Sequence, residues 1–225
     1  MIAEVAIKKE RKKRKQPINK VHTLEEYFLL EEKSVCKNEF VNGKIVEMAG
    51  GTFNHSMLSG TIYALLFMLF FNSDEEVLVL SNDQKIYIPD HHRSVYPDTS
   101  VVVGKKEMYN KGNQAVINPT LIVEVASKSI PKLREYDRSS KFRLYQSLPS
   151  FKEYVLVDQE MPIVDVFFKV ADNKWQMTSY VGLDKVVSLE TLGVTLKMAD
   201  IYKKVTDLKD PQTAFDFVNE KEEKA

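Results

Sequence analysis

The chain has 225 residues, 44% of them hydrophobic and 28% charged, with 32 basic and 32 acidic side chains and hence no formal net charge. That length suits one well-buried domain, and the composition excludes a disordered or fibrous class. A neutral chain carries no overall basic surface for nucleic acid, only room for a local basic groove, and a lone cysteine excludes an internal disulfide and fits a reducing cytoplasm.

Residues 1–20 read as a basic, flexible tail, 21–208 as one α/β domain and 209–225 as a C-terminal tail. Lys8 to Lys15 is the densest charge cluster; like charges repel there, and the segment reads first as a solvated tail with no dedicated role, with salt-dependent, sequence-blind affinity for phosphates as the alternative. Met1 to Ile7 lacks the apolar run of a secretory signal. Thr23-Leu-Glu-Glu26 is a capping box that opens a helix reaching about Lys33. Cys36 is expected to be a buried or half-buried thiol with no catalytic part. Asn42-Gly43, between Glu39-Phe-Val41 and Lys44-Ile-Val-Glu-Met48, predicts a hairpin with a type I′ turn. Asn54 is the expected cap of a long apolar helix ending near Asn72. Its segment Ile62 to Phe71 is too short to cross a bilayer and reads as buried, which points to a soluble protein with no membrane partner.

Strands follow at 77–80, 85–88, 99–103 and 121–126, then an amphipathic helix over 135–147 stopped by Leu148-Pro149. Segments 153–157, 163–168 and 175–180 alternate apolar with polar residues and predict antiparallel edges. A last helix is expected over 198–205.

Two acids stand out. Asp98 follows Tyr96-Pro97 and precedes an apolar run; Glu124 lies inside Leu121-Ile-Val-Glu-Val-Ala126. Burying a carboxylate costs several kcal/mol unless it is paired, protonated or bound to a metal. On neighbouring strands the two would converge on one Mg²⁺, which prefers a few carboxylate oxygens plus water. With a lysine nearby this is a sufficient set for phosphodiester hydrolysis. Other readings stay open: a turn for Asp98, a buried ion pair for Glu124, and a surface pair with Asp137 for Lys141. Lys128 and Lys132 rival Lys141 for the lysine's place, and His55, at the start of the long helix, is a candidate accessory group.

Several motifs occur here in a recognisable order. They are Glu39-Phe-Val-Asn-Gly-Lys-Ile-Val46, His55, Tyr96-Pro-Asp98, Asn118-Pro-Thr-Leu-Ile-Val-Glu-Val125, Tyr136-Asp-Arg-Ser-Ser-Lys-Phe-Arg-Leu-Tyr145 and Leu148-Pro-Ser-Phe-Lys-Glu-Tyr-Val-Leu-Val-Asp158. In this order, over about residues 22–200, the chain resembles the Uma-type putative restriction endonucleases, a branch of the PD-(D/E)XK nuclease superfamily. The resemblance implies a restriction-endonuclease-like core, a mixed central sheet flanked by helices. It implies a Mg²⁺-dependent endonuclease acting on DNA, with Mn²⁺ able to substitute, in the cytoplasm and as a possible homodimer.

By the same resemblance Asp98 and Glu124 are metal ligands and catalytic acids, Glu39 an outer metal ligand and Lys141 the catalytic lysine; His55 and Lys128 are candidate accessory residues by their positions alone. The superfamily lysine belongs two positions after the second acid, where this chain has Ala126. Lys141, on the following helix, is its substitute. The Ala126 departure motivates an alternative: a non-catalytic module that keeps the nuclease fold and binds nucleic acid or a partner.

Overall fold

The computed structural model describes residues 21–110, 115–126 and 140–212. The basic tail, Lys128, Lys132, Asp137, the first part of the expected helix 135–147 and the end of the C-terminal tail lie outside them.

Helix α1 spans Leu24–Glu31 and opens with both halves of the capping box: the Glu26 amide donates to Thr23 Oγ1 at 3.1 Å and the Thr23 amide to Glu26 Oε2 at 3.2 Å. Strands β1 (Asn38–Val41) and β2 (Lys44–Glu47) form the expected hairpin. Its turn has Asn42 at φ 47° and Gly43 at φ 82°, the left-handed pair a type I′ turn requires. Glu39 stands opposite Val46 and Asn38 opposite Glu47, so Glu39 and Glu47 point to opposite faces. Cys36 is exposed, contrary to expectation, because it sits in the turn before β1 with no hydrophobic layer over it.

Helix α2 runs over Phe53–Phe70. Its cap is Thr52 rather than Asn54: an N-cap needs extended backbone, which Thr52 has (φ −73°, ψ 170°), and its hydroxyl accepts from the His55 amide at 3.2 Å. Asn54 is already helical, and its amide reaches the Thr206 carbonyl instead, at 2.9 Å. The helix is less buried than its sequence predicts. Leu58, Ile62 and Leu66 pack on the sheet at i, i+4 and i+8, while Met68 and Phe71 are 66% and 63% exposed. With 18 residues and mean hydropathy 1.3 it is long and apolar enough to cross a bilayer by length and composition, but its inner stripe is a core contact.

The remaining strands are β3 (Val77–Ser81), β4 (Ile86–Ile88), β5 (Arg93–Val95), β6 (Thr99–Val103), β7 (Leu121–Ala126), β8 (Glu153–Asp158), β9 (Ile163–Ala171), β10 (Lys174–Val181), β11 (Val186–Leu189) and β12 (Val194–Lys197). Two further helices among the described residues are α3 (Phe142–Tyr145) and α4 (Met198–Ile201). Strand β5 and the β11–β12 hairpin have no counterpart in the sequence reading, being only three and four residues long. Of the helix expected over 198–205, only its first turn forms.

A mixed six-stranded sheet of order β10-β9-β8-β7-β6-β3 forms the centre, flanked by an antiparallel four-stranded sheet of order β2-β1-β5-β4. Strand β8 is not an antiparallel edge as its pattern predicts. It is buried along its whole length and parallel to β7, with Glu124 opposite Leu156 and Ala126 opposite Asp158. Such burial on both faces is what parallel strands require.

Side chains alternate across β7. Leu121, Val123 and Val125 join Leu58, Ile62 and Leu66 of α2 on one face; Ile122 and Ala126 join Tyr145, Phe151 and Tyr154 on the other. Glu124 shares the second face. Fully burying each aliphatic side chain of α2 contributes roughly 1.5–3 kcal/mol, which fixes that helix beside the carboxyl end of β7.

Candidate active site

Strands β6 and β7 are antiparallel, with Thr99 opposite Val123. The residue just before β6 therefore falls beside Glu124. Asp98 takes that place: its Oδ2 accepts from the Val125 amide at 2.8 Å, so the two acids are brought together as expected. They are 8% and 4% exposed, which makes their partners decisive.

Each carboxylate is met by a nitrogen-bearing side chain from a different element. His55, in the first turn of α2, places Nε2 3.3 Å from Asp98 Oδ2. Lys141 places Nζ 3.2 Å from Glu124 Oε2, with only 16% of its side chain exposed. The other oxygen, Glu124 Oε1, accepts from the Tyr145 hydroxyl at 2.9 Å. Lys141 and Tyr145 are four residues apart, in a π-helical turn at 140–141 that runs into α3, so one helical face serves both oxygens. Such π turns are rare and concentrate at functional sites.

The pocket is electronegative. The hydrogen bond to Asp98 raises the His55 pKa against the opposing effect of burial, and the charges of Asp98 and Glu124 add to the rise. Burial, followed by the charge of Glu124, pushes the Tyr145 phenol far above its ordinary value, so it remains a donor. A cleft of about 610 Å³ opens onto His55 and Asp98, bordered by Lys37, Gly51, Ser59 and Tyr96, within the size range of ligand sites.

Glu39 lies in β1, half-buried, close enough for its charge to bear on Tyr145. It does not join Asp98 and Glu124 in a cage: among the described residues no three His, Cys, Asp or Glu side chains are gathered to hold a metal. Lys128, the second accessory candidate, lies outside the described residues. His55 sits in the site directly on Asp98.

Sequence reasoning gave Tyr145 no role and passed over Thr52 and Gln159. Gln159 is 2% exposed and ties the end of β7 to the start of α2: its Nε2 donates to the Ala126 carbonyl at 2.7 Å, and its Oε1 accepts from the Thr52 hydroxyl. The four-residue step from Lys141 was the available sign for Tyr145. No sequence signal marks Gln159, since its place beside Ala126 arises only from the parallel pairing of β7 with β8.

Residues 24–199 match the Uma2 family, described as a putative restriction endonuclease. Two uncharacterized proteins of Synechocystis sp. are each 32% identical to the chain, one over 72% of it and 89% of the relative, the other over 80% and 90%. The crystal structure of a putative nuclease belonging to DUF820 from Anabaena variabilis shares the fold, with a TM-score of 0.61 at 17% identity over 80% of this chain and 97% of that one. The match spans the capping helix, the hairpin, both acids, Lys141 and Tyr145, and by it the chain belongs to the Uma2 putative restriction endonuclease family.

Proposed function

We propose that the protein is a Mg²⁺-dependent endonuclease that hydrolyses phosphodiester bonds in DNA. The observation that carries this reading is the pair of buried acids on adjoining strands, with the Lys141 ammonium 3.2 Å from one of them. The donor set fits a hard cation, because it offers two buried carboxylates, Asp98 and Glu124, side by side. Asp98 and Glu124 would hold the Mg²⁺, an ion that takes a few carboxylate oxygens plus water. Once bound, the metal supplies charge neutralisation and a more acidic water. Lys141 would orient an attacking water and stabilise developing negative charge. His55 holds Asp98 on its other side and faces the cleft through which a phosphate would approach. Cutting both strands of a duplex calls for two such sites, which a homodimer in the cytoplasm would provide.

Plasmid cleavage in the presence of Mg²⁺ or Mn²⁺ tests the proposal. Asp98→Ala and Glu124→Ala should each abolish it in folded protein, and cleavage that survives both discards the assignment. One observation favours the non-catalytic alternative: Ala126 occupies the usual lysine position, and both acids already have side-chain partners in His55, Lys141 and Tyr145. Calorimetric titration separates the two, since the binding module takes up no Mn²⁺ through its carboxylates.

A further inference from the structure

Tyr145 is 1% exposed, and a phenylalanine would fill the same space in the aromatic layer. What the hydroxyl adds is a hydrogen bond to one oxygen of Glu124. The terminal torsion of a glutamate is broad and nearly two-fold, so by itself a Glu124 carboxylate would exchange its oxygens or rotate between them. Two donors on one helical face remove that freedom. The phenol is 2.9 Å from Oε1 and the ammonium 3.2 Å from Oε2.

The phenol is itself held. Its ring centroid lies 5.7 Å from that of Phe151 and 6.1 Å from that of Tyr154. Phe142, one turn earlier, packs at 4.9 Å on both Phe167 and Trp175 and at 5.3 Å on Tyr154. These partners come from β8, β9, β10 and the loop before β8, so four separate segments fix the hydroxyl's position. Offset and edge-on aromatic pairs of this kind contribute about 0.5–1.5 kcal/mol each beyond their burial.

We propose that Tyr145 is the positioning residue of the site: its hydroxyl holds one oxygen of Glu124 and so fixes the carboxylate plane in which the other oxygen meets Lys141 and would meet a cation. The inference rests on the metal-dependent reading above and adds to it the group that orients the second acid. Lys141 alone would not do this, because a flexible ammonium follows the carboxylate wherever it turns. The phenol, locked in the core, dictates the orientation.

The test is Mn²⁺ binding to the full chain by calorimetry. Removing a partner that orients a metal ligand typically weakens binding about 10–100-fold. Tyr145→Phe should therefore raise the Mn²⁺ dissociation constant by at least tenfold. If that variant fails to fold, 4-fluorophenylalanine at position 145 keeps the volume without the donor and should show the same loss. 4-Aminophenylalanine, which restores an N–H donor, should return binding to within about threefold of wild type. A purely space-filling role would leave all three alike, and equal affinities across the series overturn the inference while leaving the metal reading intact. A wild-type protein that takes up no Mn²⁺, or uptake unchanged in Glu124→Gln, overturns both.

Discussion

Replacing Lys141 with methionine removes the cation from the buried pair while keeping a chain of similar length. The two side chains are 16% and 5% exposed at 3.2 Å, so the pair is not a surface contact of the 0–1 kcal/mol kind. Breaking a buried pair by deleting one member costs about 3–5 kcal/mol, because the partner's charge is left without compensation. Glu124 keeps its bond from Tyr145 at 2.9 Å, which places the expected loss near the lower end, about 3 kcal/mol. In urea, with a slope of about 2 kcal/mol/M for a domain of this size, the midpoint of metal-free protein should fall by about 1.5 M. Mn²⁺ should then restore stability, since in the variant no ammonium competes for Glu124. At a hundredfold excess over its dissociation constant the linkage gain is about 2.7 kcal/mol, reached at lower Mn²⁺ than in wild type. A metal-free variant within about 0.5 kcal/mol of wild type would refute the reasoning, because the pair would then behave as an exposed one.

Other outcomes follow from the same geometry. The His55 pKa is raised, chiefly by its hydrogen bond to Asp98, so the stability its protonated form adds is fully present below the unfolded value and lost as pH rises through the folded one. In metal-free urea melts His55→Gln should therefore lose more stability at about pH 6 than at about pH 8.5. Thr52→Ala removes the α2 cap and the link to Gln159, and should lower stability by about 1–2 kcal/mol in thermal melts. Gly43→Ala should cost about 1–2 kcal/mol, since φ is 82° there and a Cβ would lie 2.6 Å from Val21 Cγ1. Deleting residues 1–20 should weaken DNA binding and flatten its dependence on salt, with the cleavage rate at saturating DNA unchanged.

Much of the local architecture was legible in the residues. Thr23 and Glu26 fix the start of α1 by two reciprocal bonds, and Asn42-Gly43 fixes the hairpin because few other pairs tolerate positive φ twice in succession. The apolar runs read at 77–80, 99–103 and 121–126 are strands, the first extended by Ser81. Alternation along β8 points to an edge strand, whereas its partners on both sides bury even Glu153, whose carboxylate accepts from the amides of Glu190 and Thr191. The α2 cap was misassigned because threonine and asparagine two residues apart are equally capable, and only the backbone turn decides between them.

The two acids and Lys141 were candidates from the chain itself, since a carboxylate inside an apolar run demands a partner and a lysine follows on a helix. Their sequence could not say how these groups pair or which way they face. That belongs to strand pairing and aromatic packing, interactions between segments far apart in the chain. Antiparallel β6 and β7 set Asp98 beside Glu124, the stripe of α2 brings His55 over Asp98, and the aromatic layer under α3 aims Tyr145 at Glu124. Local bonds are written in adjacent residues; long-range contacts emerge only when the sheet has closed.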